Sequence, residues 1–294
     1  MSEVTTGPQG NPGDIINWPM LKIRYRSDAD RVAALLPPGI EPGAEPNVTL
    51  TVYNFPVNGM PEYGVVTNVD ASFKGIPGEF SLGYGIDQEE AIFISQERNG
   101  QPKYPCSIRY YRLLEHVFAS CAHQGYTFLD FKGQSVGVEP AGEPFEHNEW
   151  WLKYARATGV DEPTGFDFPP HVVRVKTLYQ TARKELVQGQ LTLNASPWDP
   201  IAELLPLRES IENYLWWPQF LSREILVEGT LDAEAFLPHA DVRLQPVAHH
   251  HAIFSRHAQQ FQGSLHDERR GLSGQQVQFA AGEITRDEAM QQIY

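Results

Sequence analysis

One lysine stands directly after a turn, in the stretch AIFISQERNGQPKY at residues 91–104. The pattern predicts a strand ending near Gln96, a tight turn at Gly100, and a backbone made rigid by Pro102 just before Lys103. A lysine amine attacks a carbonyl carbon only when unprotonated, and the ordinary lysine pKa of ~10.4 leaves few such amines at neutral pH. An apolar pocket or a neighbouring cation lowers that pKa and permits imine chemistry. Position alone favours a solvated lysine over a nucleophile, so the surrounding elements matter.

Those elements are predicted to be mainly strands. Period-two alternation and turn residues indicate many short strands, with a helix over residues 27–36 started by the N-cap Ser27 and stopped by Pro37. Residues 112–122 fit strand or helix, and residues 149–157 and 201–217 have helical spacing. Because closure removes exposed strand edges, we expect an α+β fold dominated by an antiparallel sheet curved into a barrel or cone, with a few flanking helices. The predicted strands are 21–25, 48–53, 63–69, 79–85, 91–96, 105–110, 172–178, 185–193 and 220–231.

Bulk composition excludes several partners. The formal net charge of −14 over 294 residues opposes binding to nucleic acid or to anionic lipid, and no apolar run is long enough to cross a membrane. Two cysteines make no disulfide framework, and the N-terminus does not read as a signal peptide, so we expect a soluble, cytoplasmic protein. We expect one domain over residues 1–245 and a polar, His- and Gln-rich extension over 246–294. The histidines at 249–251 lack acidic or cysteine partners at a metal-binding spacing, so no metal site is predicted.

Several ordered segments resemble the acetoacetate decarboxylase family, over roughly residues 18–244. The turn 100–104 (GQPKY) stands where the family has a Gly-aromatic-Pro-Lys-Lys turn whose first lysine forms the imine, which implies that role for Lys103. Gln96 and Glu97 stand where the family has an arginine–glutamate pair. The other matching segments are 23–30, 35–37, 73–75, 78–80, 91–93, 170–176 and 237–242.

The chain departs from the family pattern at four polar positions. The family's arginine before the first strand falls at about Trp18, and one active-site glutamate falls at about Thr51. The glutamate tied to decarboxylation falls at Gly64 or Val65, with Glu62 nearby, and the second lysine of the pair is Tyr104. These replacements, together with the many Trp and Phe residues, favour a bulky or aromatic substrate over acetoacetate.

The resemblance implies a Schiff-base-forming lyase that acts on a small to medium carbonyl compound, by decarboxylation of a keto acid, by aldol or retro-aldol-type carbon–carbon cleavage, or by dehydration. Imine chemistry requires no organic cofactor or metal, and members of the family form homo-oligomers. The alternative is a catalytically inactive pocket protein that binds an apolar or aromatic molecule. The catalytic candidates are Lys103, with Glu97 and Tyr104 for proton transfer, and the substrate-binding candidates are Trp18, Glu62, Glu79, Phe80, Phe93 and Arg109.

Overall fold

The computed structural model describes residues 19–57, 60–157 and 165–240. Trp18, the histidines at 249–251 and the predicted extension 246–294 lie outside these residues, so the domain boundary at 245 stays a prediction. No helix within the described ranges is long and apolar enough to span a membrane.

The described chain consists of twelve strands and a few short helices. In chain order the elements are β1 Met20–Arg26, α1 Ala29–Leu35, β2 Glu41–Pro42, β3 Asn47–Val57, β4 Met60–Phe73, β5 Ile76–Ile86, α2 Glu89–Asn99, β6 Lys103–Pro105, β7 Ser107–Leu113, β8 His116–His123, β9 Tyr126–Glu139, β10 Phe145–Lys153, β11 His171–Leu193, α3 Ile201–Leu204, β12 Glu209–Thr230, α4 Ala233–Phe236 and a 3₁₀ turn Leu237–His239.

One continuous sheet contains all the strands. Its order is β10-β5-β4-β3-β1-β12-β11-β9-β8-β7, with β2 on β4 and β6 on β5. Strand β10 also pairs with β11, so seven of these strands close into a ring, while β9, β8 and β7 continue the sheet beyond it. All pairings are antiparallel except β10–β5 and β5–β6. The predicted curved, mainly antiparallel sheet with few helices is confirmed.

Strand β3 of the ring is buried on both faces. On β3, Val48, Leu50 and Val52 join the main apolar core, and the intervening residues point the other way. A second cluster unites Tyr53 with Trp151 and with residues of β4, β5 and β11. Because strands from several parts of the ring contribute to it, this cluster lies inside the ring.

Three local predictions are wrong. Residues 91–96 belong to helix α2, whose first turn carries acidic residues and whose C-cap is Gly100 in the left-handed region, with φ of 70°. Residues 149–153 belong to strand β10: Trp150 packs in the main core and Trp151 inside the ring, so burial on both faces imitates helical spacing. Most of 201–217 is strand, since α3 ends at Leu204 and β12 begins at Glu209. The ambiguous stretch 112–122 is the end of β7 and most of β8.

Candidate functional site

Lys103 begins the short strand β6 and is held by its backbone. It pairs in parallel register with Tyr84 of β5, whose N–H donates to the carbonyl of Pro102 at 2.9 Å. The side-chain amide of Gln96 donates to the Lys103 carbonyl. A Cβ at Gly100 would lie 2.3 Å from the Leu152 carbonyl oxygen, so only glycine lets this turn approach β10 so closely. These contacts direct the Lys103 side chain into the protein, where it is 5% exposed.

The amine of Lys103 meets a buried carboxylate. Its Nζ lies 3.0 Å from Glu62 Oε2, and the Tyr53 hydroxyl donates to Glu62 Oε1 at 2.7 Å. Glu62 is 2% exposed. Burial, followed by the charge of Glu62, raises the pKa of Tyr53 well above its usual value, so the phenol stays a donor. The result is a chain of amine, carboxylate and phenol in which the carboxylate is fixed from both sides.

A glycine on β4 makes room for the Tyr53 ring in this arrangement. Gly64 is the cross-strand partner of Tyr53, and a Cβ there would lie 2.2 Å from the tyrosine ring. The ring of Tyr53 therefore lies over Gly64 and places its hydroxyl on Glu62. The absence of a side chain at Gly64 is thus what lets the carboxylate of Glu62 be held by Tyr53.

A second buried carboxylate, Glu149 of β10, accepts hydrogen bonds inside the ring. Its Oε1 accepts from the Ser81 hydroxyl at 2.5 Å, from the Trp151 indole at 2.9 Å and from the Tyr84 hydroxyl. Burial raises the pKa of Glu149, although the donors from Ser81 and Trp151 oppose it. Because Tyr84 also pairs with Lys103, Glu149 is connected to the lysine through one residue.

Glu79 of β5 is the third interior carboxylate. It accepts from Thr49 Oγ1 and Asn68 Nδ2, each at 2.9 Å, and lies 3.2 Å from His147 Nε2. Burial alone would raise the pKa of Glu79, but the hydrogen bond and charge of His147, with Lys22 and Asn68, bring it well below its usual value. Glu79 is therefore ionised at neutral pH.

Next to Glu79 the interior opens into a cavity of about 360 Å³, which we call the Lys22 cavity. Its lining combines charged groups with aromatic walls and does not include Lys103. The lining residues are Lys22, Arg24, Thr49, Glu79, Phe145, His147, Tyr179, Thr181, Lys184, Tyr214 and Trp216.

The structure brings only part of the predicted site together. Glu62 contacts Lys103, and Glu79 lies inside the ring. Glu97 does not reach this group, since it is exposed on α2 while Lys103 is buried. Tyr104 points the opposite way from Lys103, as the next residue of a strand must, and its ring lies 5.0 Å from that of His123.

The other expected binding residues lie apart from the interior group. Phe93 is 61% exposed on α2, because the segment is a helix rather than a strand facing the pocket. Phe80 packs in the main apolar core, and Arg109 is exposed on β7, beyond the ring. These placements do not fit the substrate-binding roles expected for the three residues.

Sequence reasoning missed Tyr53, Glu149, His147 and Lys22. A usable signal was present on β1 and β3, where polar residues alternate with apolar ones on strands flanked on both sides by other strands. In a closed ring such polar positions face the interior rather than solvent. Within the described ranges, no group of three or more His, Cys, Asp or Glu residues is placed to hold a metal ion.

Comparison with known proteins assigns the chain to a family. The family model for acetoacetate decarboxylase matches residues 3–231, which is most of the sequence. The chain belongs to the acetoacetate decarboxylase family. The recognition made from the Lys103 turn and its neighbouring segments is confirmed. No curated protein matches the chain in sequence.

Three solved structures share the fold at low sequence identity. The acetoacetate decarboxylase from Legionella pneumophila matches with a TM-score of 0.60 at 17% identity, covering 74% of this chain and 86% of that one. An acetoacetate decarboxylase-like enzyme from Sphingomonas wittichii RW1 matches with a TM-score of 0.57 at 17% identity, covering 73% and 90%. The enduracididine biosynthesis enzyme MppR complexed with pyruvate matches with a TM-score of 0.55 at 14% identity, covering 74% and 94%. Family and fold together support an enzyme of the lyase class.

Proposed function

We propose that this protein is a Schiff-base-forming lyase in which Lys103 attacks the carbonyl carbon of a small substrate. The observation that carries the proposal is the 3.0 Å contact between Lys103 Nζ and Glu62 Oε2, with both side chains buried inside the ring. At active sites the acid or base lies within hydrogen-bonding distance of the nucleophile that it serves. The distance lies within the range required for direct proton transfer.

In the proposed mechanism Glu62 replaces Glu97 as the proton-transfer residue. Its carboxylate accepts a proton from the Lys103 ammonium and leaves a neutral amine that adds to the substrate carbonyl. The carbinolamine then loses water, for which the protonated Glu62 supplies the proton, and a cationic imine remains. Tyr53 acts as a positioning residue, because its hydrogen bond orients the carboxylate toward the lysine.

The cationic imine withdraws electrons from the neighbouring carbon. In a β-keto acid the electron pair of the bond between the α-carbon and the carboxylate moves toward the imine nitrogen and CO₂ leaves, which produces an enamine. In an aldol substrate the Glu62 carboxylate takes the proton of the β-hydroxyl, the bond between the α- and β-carbons breaks in the same sense, and an aldehyde leaves the enamine behind. Protonation of the enamine carbon and addition of water then release the product and restore Lys103.

Trapping with borohydride tests this proposal. The full-length protein is mixed with pyruvate, with longer keto acids and with aromatic aldehydes, reduced, and analysed by intact mass and peptide mapping. We expect an adduct on Lys103 that Lys103→Met abolishes, while the exposed-lysine control Lys132→Met retains it. The adduct mass shows whether CO₂ or another fragment has left.

The second candidate is a pocket protein without catalysis. It is favoured by the Lys22 cavity, which has aromatic walls and is not lined by Lys103. Absence of an adduct with every carbonyl compound, together with retained binding of aromatic molecules, would reject the lyase and leave this function.

A further inference from the structure

The Lys22 cavity contains one cation that lacks a close partner. Arg24 is paired with Glu212 at 3.0 Å, and Lys184 with Glu139 and Glu212 at 2.9 and 3.1 Å. Within the part of the chain that the structure describes, Lys22 Nζ makes no hydrogen bond or ion pair. It lies 5.5 Å from the centroid of the Trp216 ring.

The surroundings of Lys22 disfavour the positive charge of its side chain. Burial is the largest influence on the pKa of Lys22 and lowers it, the charges of Glu79 and Glu149 oppose the change, and Arg24 lowers the pKa further. Glu79 lines the same cavity, but Thr49, Asn68 and His147 already engage its oxygens. Charged groups in protein interiors are paired or hydrogen-bonded as a rule, so an anion beside Lys22 would complete the site.

The walls of the cavity indicate what the rest of the ligand should be. Phe145 and Tyr179 lie 5.8 Å apart and Tyr179 and Trp216 5.0 Å apart, measured between ring centroids. These rings are in contact with one another and form an aromatic wall, against which a ligand ring can pack in tilted or edge-to-face contact. The volume of about 360 Å³ is near the lower end for small-molecule pockets, which suits a ligand with one ring.

We propose that the Lys22 cavity binds a small aromatic carboxylate, with the carboxylate on Lys22 Nζ and the ring among Phe145, Tyr179, Tyr214 and Trp216. The inference goes beyond the imine chemistry at Lys103 and does not depend on it. Binding of the aromatic acid at Lys22 is expected whether or not the protein acts as a lyase.

Calorimetric titration of the full-length protein with benzoate tests the proposal, and its neutral isostere benzamide separates the charge from the ring. We expect benzoate to bind and benzamide to bind about 10- to 100-fold more weakly, the range that a charge-assisted hydrogen bond contributes. Lys22→Met should weaken benzoate binding by the same factor and leave benzamide binding unchanged. Trp216 lines the cavity, so tryptophan fluorescence should report the same event.

Two variants serve as controls. Lys74 also has its Nζ near an aromatic ring, 5.2 Å from the centroid of Phe73, but it lies outside the cavity, so Lys74→Met should bind benzoate normally. Lys103→Met should also retain binding, which separates this site from the proposed nucleophile. Equal binding of benzoate and benzamide by the wild type overturns the proposal even if Lys22→Met does not fold. Loss of benzoate binding in Lys103→Met but not in Lys22→Met also overturns it.

Discussion

The contact between Lys103 and Glu62 predicts a large energetic coupling between two buried side chains. At an effective dielectric constant of about 20, unit charges separated by 3.0 Å attract each other by about 5.5 kcal/mol. The cost of removing both groups from water offsets much of this attraction, so the pair as a whole stabilises the fold little. Removing one partner leaves the other charge buried without compensation, at a cost of about 3–5 kcal/mol.

We therefore expect Glu62→Gln to lower the free energy of unfolding by about 3–5 kcal/mol, and Lys103→Met to lower it by a similar amount. The double variant removes both charges and should lose much less than the sum, which gives a coupling energy of about 2 kcal/mol or more. Urea denaturation of the four proteins, followed by tryptophan fluorescence, measures the cycle.

Glu185 supplies the matched control for this cycle. Like Glu62, it is a buried carboxylate, 2% exposed, but its charged partners are Arg112 at 3.0 Å and Arg183 at 2.7 Å. Glu185→Gln and Lys103→Met should therefore add within about 0.5 kcal/mol. If Glu62→Gln and Lys103→Met were equally additive, the two groups would not be paired in solution, and the reasoning that makes Glu62 the base for Lys103 would fail.

Three further predictions concern the interior carboxylates and the glycine beside them. Because the pKa of Glu149 is raised on folding, its contribution to stability is complete below the unfolded value of ~4.3 and is lost as pH rises through the folded value. The change in the free energy of unfolding that Glu149→Gln causes should thus be more favourable at pH 7 than at pH 4. A more favourable change at pH 4 would contradict this. The pKa of Glu79 is lowered, so its stabilisation is present above the unfolded value and is lost as pH falls toward the folded value. Glu79→Gln should cost about 1–3 kcal/mol at pH 7 and less at pH 3 in urea denaturation, whereas a loss independent of pH would disagree. Gly64→Ala should cost about 1–3 kcal/mol because its Cβ would lie 2.2 Å from the Tyr53 ring, whereas Gly137→Ala, with nothing within 4 Å, should change the melting temperature little.

Much of the fold could be predicted from the sequence because strand alternation is a local property. The helix predicted over residues 149–157 was wrong because β10 is buried on both faces. Trp150 and Trp151 are both buried, so β10 lacks the alternation of a half-exposed strand. Segment 91–96 was misread for a different reason, since α2 buries only Ala91 and Ile92 and exposes Phe93 and Ile94. No apolar stripe marks it as a helix.

The site was predictable at Lys103 and much less so around it. The turn at Gly100 and Pro102 is continuous in sequence with the lysine, so a short motif was enough to single out Lys103 as the candidate nucleophile. Glu62 stands 41 residues away, and its approach depends on the pairing of β4 with β5 and of β5 with β6. Glu97 is near Lys103 in sequence, but it lies on the exposed side of helix α2. Distance along the chain is therefore a poor guide to which carboxylate serves the lysine.

The same geometry explains why the missing family carboxylate does not leave the lysine without an acid–base partner. A glutamate at position 64 would occupy the space of the Tyr53 ring, since even a Cβ there lies 2.2 Å from it. Glycine at 64 admits the tyrosine, and the tyrosine fixes the carboxylate of Glu62, two residues earlier on the same face of β4. A shift of two residues in a strand preserves the direction of a side chain and moves it by about 6.6 Å along the strand. In the proposed mechanism the carboxylate of Glu62 therefore serves Lys103 from a place about 6.6 Å along the strand from position 64.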